Sequence, residues 1–508
     1  MTTTRSTIVA ALAAALVAIA VSWAFRPIER GVHFDNQIYF FMAERSASGE
    51  PPHVSLVDHK HQVSTILSGW AIQVGRAVGV EDVFAARALS IAVAVSVPAT
   101  VAFAAASIWG TPVAAWVAGA VMVSFPDFYF QGVVGFRPKV FMAAFLAMAL
   151  LAHARGFVLV AGLFAGASFH CWQPALLASA AIGASFLIIR RWRDAVVFSA
   201  GFLIFTSFYE GWFWAHGALG EQLFQSYRMP ADVGGYRYPS FEHGMKFFTS
   251  MGLWRQSGQA FWGVGFIAMA VALPLIALLG PRATYRRVLE QPALAAWAML
   301  SVVAVAMTFL DHQGYPDLFF LHPLMAIGFA GMFAAMIRRM PGGWATRALI
   351  TALLCAGIVD NGLGRFKMFG PARDGLARQK EHASLIGLLE EEYGPVWAIG
   401  CPHLLALERR PNFSQFGMLV DPKVRHYAAT KAGPSGFDPT RNGLRPGALI
   451  VSRGGERAAM PRFDAYYERF PVAELNKDGI HVWVARDGRR RPSVYMAPPP
   501  KPKKAKKP

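Results

Sequence analysis

The chain has 508 residues, of which 54% are hydrophobic and 16% charged, with a formal net charge of +18 and a mean hydropathy of +0.35. That balance excludes an ordinary soluble domain, and apolar runs separated by short loops rich in Arg, Gly or Pro predict a polytopic α-helical membrane protein. Eight of the basic residues sit in the end "RRRPSVYMAPPPKPKKAKKP". The positive charge therefore suits anionic lipid or a polyanionic envelope polymer, and not nucleic acid.

The first apolar run, about residues 6–24, follows Arg5 and is long for a signal-peptide core, with no clear A-x-A site after it. It reads as a retained first span. Further runs follow at about 84–108, 112–126, 138–152, 156–170, 172–189, 195–209, 259–279, 292–310, 317–336 and 346–359, which predicts eleven spans. With the N-terminus inside, the inner loops are "WGTP", "HARG", "RRWRD", "GPRATYRR" and "IRRMPGGWATR". Four of the five are basic, as cytoplasmic loops are. The outer side then receives long loops at 25–83 and 210–258, the short loops "DFYFQGVVGFRPK" and "DHQGYPD", and everything after Asp360.

From 361 the composition becomes that of a small soluble α/β domain, with strands at "VWAIGC", "GALIVSR" and "HVWVARD" and a helix at "MPRFDAYYERF". The organisation read from the sequence is a transmembrane domain over 1–360, a soluble domain over 361–486 and a basic Pro/Lys-rich disordered tail over 487–508. Three cysteines, with Cys171 and Cys355 at or within apolar runs, make neither a disulfide framework nor a C-x-x-C metal site. Motifs for nucleotide binding, zinc proteolysis or serine hydrolysis do not occur, and no metal ligand set is predicted.

The first outer loop carries the most chemistry. "HFDNQIYFFMAER" and "VDHKHQVSTILSGW" bring Asp35 and Asp58 into one loop with His59, Lys60 and His61. A carboxylate beside a membrane is costly to dehydrate, and it serves as a general base where a substrate hydroxyl comes within hydrogen-bond reach. Lys60 and the histidines would hold an anionic group opposite. The structural alternative for Asp35 is an N-cap of the helix that follows it. Arg137 and Lys139 in "VVGFRPK" suit either phosphate contact or snorkelling. Arg228 and Arg237, among the tyrosines of the second long loop, suit phosphate recognition or interfacial anchoring. Asp311 and His312 stand at a span boundary. His170 and His322, in or beside apolar runs, read as packing residues.

The order of these features resembles the GT-C membrane glycosyltransferases, and within them the protein O-mannosyltransferase and aminoarabinose-transferase type. "HFDN" is similar to an H-F-D-E motif, with Asp35 on its Asp and Asn36 in place of its Glu. "VDHKHQVSTILSG" loosely resembles a D-x-H-P-P-L-G-K motif through Asp58 and Lys60, without the proline pair. "FRPKVFMAAF" resembles an R-P-E-x-L span entry, with Lys139 replacing the acidic residue, and "YPDLFFLHPLM" resembles a late span. The resemblance covers about 1–360. It implies a transferase, inverting by single displacement, that takes a sugar from a polyprenyl-phosphate donor on the outer face of the cell (inner) membrane and passes it to an envelope glycan, lipid or protein. The lipid-linked sugar is a substrate, and no other cofactor is implied. The rival readings are a transporter or flippase for lipid-linked sugars, and a non-catalytic scaffold for envelope assembly.

Overall fold

The computed structural model describes residues 2–33, 35–233, 291–310, 315–364, 375–416, 448–451 and 467–486, with Val424 and Tyr427. All ten of the apolar runs that fall among these residues are helical; the run at 259–279 lies outside them. Helix α1 (Thr2–Ala24) buries Ala14, Ala18 and Val21 and turns Leu12, Leu16 and Trp23 outward, as a bilayer-facing helix does. Two short helices of the first loop follow, α2 (Asn36–Ala47) and α3 (Val63–Ala77). Helix α4 (Asp82–Trp109) stops at Gly110, whose φ of 67° is the left-handed C-terminal conformation open to glycine.

The run at 112–126 is a broken element: α5 (Pro112–Val123) and α6 (Pro126–Val134) meet at 59°, where Pro126 cannot continue the preceding hydrogen-bond ladder. Next come α7 (Pro138–Ala154), α8 (Val158–Phe169), α9 (Ala175–Ile188) and α10 (Trp192–Ala215). Glycine permits α8 and α10 to approach closely: a Cβ on Gly201 would lie 2.2 Å from the Leu159 carbonyl oxygen, and one on Gly162 2.0 Å from that of Phe198. The helices Pro292–Leu310, Leu321–Arg339 and Trp344–Leu363 complete the bundle.

Among the described residues five helices are long and apolar enough to cross a membrane, or six with the bent pair as one span, against the eleven expected. The runs forming α7, α8, α9 and Pro292–Met307 are apolar helices of 10–17 residues. A 12-residue helix rises only ~18 Å against a hydrocarbon core of roughly 30 Å, so an apolar run records burial and not necessarily a full crossing.

After the bundle, helix Gly375–Tyr393 leads into a four-stranded sheet of β1 (Val396–Ile399), β2 (Ala448–Val451), β3 (Tyr467–Phe470) and β4 (His481–Ala485), in the order β1-β2-β4-β3. β1 runs parallel to β2, with Val396 opposite Ala448; β4 is antiparallel to both its neighbours, with Val484 opposite Ala448 and Val482 opposite Phe470. The three expected strands are present. The end of "MPRFDAYYERF", expected as helix, is the fourth strand: Tyr467 and Phe470 bury at its two ends while Glu468 and Arg469 are left at least partly exposed. Pairing with β4 overrides the local helical pattern.

The boundary drawn at 360 does not separate two cores. Tyr39, Phe40 and Phe41 of α2 pack in one buried cluster with Ile386, Leu389, Leu404 and Val482 of the C-terminal region. Gln379 clamps the backbone beside Asp35: its Oε1 accepts from the Val32 N–H at 2.7 Å and its Nε2 donates to the Val32 carbonyl at 2.9 Å. Gly31 lets that amide approach, since a Cβ there would fall 2.9 Å from it. Leu376 N–H donates to Glu29 O at 3.0 Å, and Val57 N–H to Gln415 O at 2.9 Å. Arg76 and Arg409 both pair with buried Asp82, and Arg76 also reaches buried Glu44 at 2.8 Å.

Candidate functional site

Loop 25–83 lies on one end of the bundle, reached by the close of α1, α8 and α10 and by the start of α4, α7 and α9. Val63 N–H donates to His170 O at the end of α8, and Gln62 N–H to the Tyr209 hydroxyl near the end of α10, both at 3.1 Å. Gln173, just before α9, donates to His59 O at 2.6 Å. Expected outer-side residues therefore share one end.

Asp35 immediately precedes α2, yet its side chain makes no capping hydrogen bond to that helix. It points instead to Arg137, whose Nη1 lies 3.0 Å from Oδ2, with Lys60 Nζ at 3.9 Å from the same oxygen. Arg137 is placed by Pro138, which starts α7 and leaves Arg137 extended at its N-terminus. Lys60 donates to the Tyr39 hydroxyl at 2.7 Å and sits over the Tyr39 ring. Burial works against charge on Lys60, but Tyr39, Asp35 and Asp58 outweigh it and hold the ammonium above its ordinary pKa. Burial pushes the Tyr39 hydroxyl up in turn, with Lys60 pulling the other way.

Lys139, in the first turn of α7, pairs with buried Asp317 and lies 5.0 Å from the Trp172 ring centre. Three cations, Lys60, Arg137 and Lys139, thus converge on one mouth with Asp35 and Asp317. Beside Asp35, the Asn36 amide is wholly buried, and neither its nitrogen nor its oxygen has a hydrogen-bond partner among the described residues.

The other candidates divide. Asp58 is mostly buried, accepts from Gln62 Nε2 at 2.8 Å and lies 3.6 Å from His59 Nδ1. Its backbone N–H is fixed at 3.1 Å by Gln225 Oε1, and Gln225 Nε2 also donates to His53 O at 2.7 Å. His61 is buried, with Nδ1 3.2 Å from Phe169 O and its ring stacked on His170. Burial holds its pKa down to about 3, so it is a neutral packing group. Arg228 is exposed, paired with Asp232 at 3.6 Å. Arg237 and His312 lie outside the described residues, as does Asp311. His170 and His322 pack as expected; the His322 ring stacks on Phe125 at 3.9 Å.

Sequence reading missed Tyr39, Gln225, Asp317 and Gln379. Each acts through a partner remote in the chain, and no local spacing announces it. Only Asp317 carried a signal, as an acidic residue in "YPD" at the entry of a late apolar run.

A polytopic helical bundle with a charged mouth at one end, capped by a small mixed sheet, defines the class of molecule. No family model and no curated protein matches the sequence. Solved structures do. ArnT from Cupriavidus metallidurans bound to undecaprenyl phosphate aligns over 93% of this chain and 97% of its own, with a TM-score of 0.59 at 14% identity. Its apo state gives a TM-score of 0.55 over the same shares, also at 14% identity. The archaeal oligosaccharyltransferase AglB from Archaeoglobus fulgidus, in complex with an inhibitory peptide and a dolichol-phosphate, aligns over 88% of this chain and 69% of its own, with a TM-score of 0.52 at 12% identity. The likeness is of fold, and it is the GT-C fold expected from the order of loop motifs and spans.

Proposed function

We propose that the protein is a membrane glycosyltransferase that takes a sugar from a polyprenyl-phosphate donor and passes it to an envelope acceptor. Asp35 carries the reading: it forgoes the helix cap and holds two cations at the charged mouth. The fold shared with ArnT and AglB, whose structures hold undecaprenyl phosphate and dolichol-phosphate, supports the donor class.

In this mechanism the prenyl tail lies in the bilayer, and the donor phosphate enters the mouth between Lys60, Arg137 and Lys139. Arg137 offers the planar, bidentate donor set suited to phosphate oxygens. Phosphate binding draws Arg137 away from Asp35, whose oxygen then becomes available to an acceptor hydroxyl. As that hydroxyl attacks the anomeric carbon, its proton passes to Asp35, the bond to the phosphate oxygen breaks, and the cations stabilise the charge left on phosphate. That stabilisation is the largest contribution. A single displacement inverts the anomeric configuration. In this reading the site and the sheet lie outside the cell (inner) membrane, and Arg191 lies inside.

The test uses membranes containing the full chain at matched expression, supplied with polyprenyl-phosphate-linked sugars. Transfer from one of them, lost in Asp35→Asn, is expected. Failure of wild type with every donor, or full activity of Asp35→Asn, overturns the assignment.

A further inference from the structure

A second cavity, of about 820 Å³, lies between the approach to α2 and the C-terminal region. Its polar lining includes His33 and Gln37 on one side and Arg378, Glu381, His382, His403 and Asp478 on the other, so its carboxylates outnumber its one cation. Its size falls in the ~300–1,000 Å³ range of small-molecule sites. We propose that this cleft binds the acceptor, and that the acceptor is a neutral carbohydrate whose hydroxyl it presents to Asp35. The proposal rests on the glycosyltransferase reading above and names its acceptor class.

Position is the first reason. His33 and Gln37 stand two residues before and two residues after Asp35, so the cleft edge lies within ~7 Å of Asp35 along the backbone. Asp35 itself does not line the cleft, so a molecule seated there reaches the proposed base past the edge that His33 and Gln37 form. The clamp of Gln379 on Val32 fixes this edge against the C-terminal region.

Charge is the second. Arg378 is the one cation among the described lining residues, and its Nε lies 2.6 Å from Asp478 Oδ2. His382 Nε2 lies 3.2 Å from the same oxygen. The cleft thus holds one cation, paired with Asp478, against the three that Lys60, Arg137 and Lys139 bring to the mouth beside Asp35 and Asp317. A phosphate belongs in the mouth and has little reason to enter the cleft.

The third is the kind of hydrogen bonding available. Burial, with Arg87 and Arg30 nearby, holds His33 below its ordinary pKa; burial does the same to His382, and burial with His33 and His382 takes His403 to about 3. The three rings are neutral near pH 7, each with one donor nitrogen and one acceptor nitrogen. Gln37 adds an amide. A sugar hydroxyl is likewise donor and acceptor at once, so a wall of neutral imidazoles and amide matches a polyol better than it matches an ion. The apolar Leu404 in the same lining suits the C–H face of a pyranose.

The experiment is saturation-transfer NMR on the full chain in lipid nanodiscs, with trisaccharides of glucose, mannose, galactose and arabinose as probes. Inorganic phosphate serves as an anionic competitor, and undecaprenyl phosphate binding is measured separately. At least one trisaccharide is expected to bind, unaffected by phosphate. Affinity is expected to fall about fivefold or more in Gln37→Ala and in His403→Gln, as on loss of a hydrogen bond, with undecaprenyl phosphate binding unchanged. Gln37 is half-buried, so its variant keeps the test readable if the buried His403 variant misfolds. Absence of binding by all four trisaccharides, displacement by phosphate, or affinity unmoved by Gln37→Ala overturns the cleft assignment. If undecaprenyl phosphate fails to bind the wild type as well, the glycosyltransferase reading falls with it; if it still binds, the cleft assignment alone is lost.

Discussion

Asp35 and Asp58 belong to one loop, and their surroundings differ in kind. The Asp35 side chain is 39% exposed and is held by two long, charged side chains, whereas that of Asp58 is 10% exposed and is held by the neutral Gln62 amide, with His59 alongside and a fixed backbone. The cations around Asp35 can be drawn off by an entering anion. The amide on Asp58 belongs to a buried lattice that continues through Gln225, His53 and Glu221 to the Tyr427 hydroxyl. Two carboxylates of one loop are thereby sorted: one stands partly exposed among cations, and the other joins the loop to the C-terminal region.

The largest expected effect is at Asp35. A general base contributes ~10²–10⁴-fold, so Asp35→Asn should lower turnover by about that factor with undecaprenyl phosphate binding retained. A residue serving only as a helix cap predicts the opposite, since Asn caps as well as Asp. Next comes Arg137→Ala, which on the proposed mechanism removes a charged hydrogen bond to the donor phosphate. Such bonds contribute about 1.5–3 kcal/mol, so donor affinity should fall roughly 10–100-fold. A titration of undecaprenyl phosphate against wild type and variant checks this, and equal affinities would move the phosphate site away from the mouth.

Much of this layout was legible in the chain. Apolar runs became helices wherever they can be described, because burial of a continuous apolar surface dictates the period. Asp35, Lys60, Arg137 and Lys139 stood out as charges at the ends of such runs, where charge is costly without a task. What escaped is tertiary. The Gln379 clamp on Val32 joins residues 347 apart, and the Lys139–Asp317 pair joins residues 178 apart. The strand at Tyr467–Phe470 needed β4 beside it before its pattern could be told from a helix. Hydropathy marks α8 and α9 as apolar runs, while their lengths of 12 and 14 residues follow from turns at His170 and Ile189.

The Asp58 side of the comparison is a matter of stability, and Gln225 is its most sensitive point. Its carboxamide serves both the Asp58 N–H and the His53 carbonyl in a buried setting. Gln225→Ala orphans both, at about 1–3 kcal/mol for a buried group left unsatisfied. Thermal unfolding should occur at lower temperature, while donor affinity of the folded fraction stays as in wild type. A loss of donor affinity at unchanged stability would place Gln225 at the mouth instead.

The smallest expected effect is Asp58→Asn, and it separates the two carboxylates most cleanly. Gln62 Nε2 donates to Asp58 Oδ2 at 2.8 Å, and an Asn carbonyl oxygen at the same place accepts that bond equally well. The change removes the negative charge facing His59 and Lys60, whose ammonium keeps Asp35 and the Tyr39 hydroxyl as partners. Replacing one acceptor by another of the same shape keeps the Gln62 bond, so the cost should stay below about 1 kcal/mol. Turnover should then remain within about threefold of wild type, against the loss of ~10²-fold or more at Asp35. Parallel assays of Asp35→Asn and Asp58→Asn in membranes of matched protein content decide the matter: a reversal of the two, with Asp58→Asn the inactive variant, would transfer the base to the buried side of the loop.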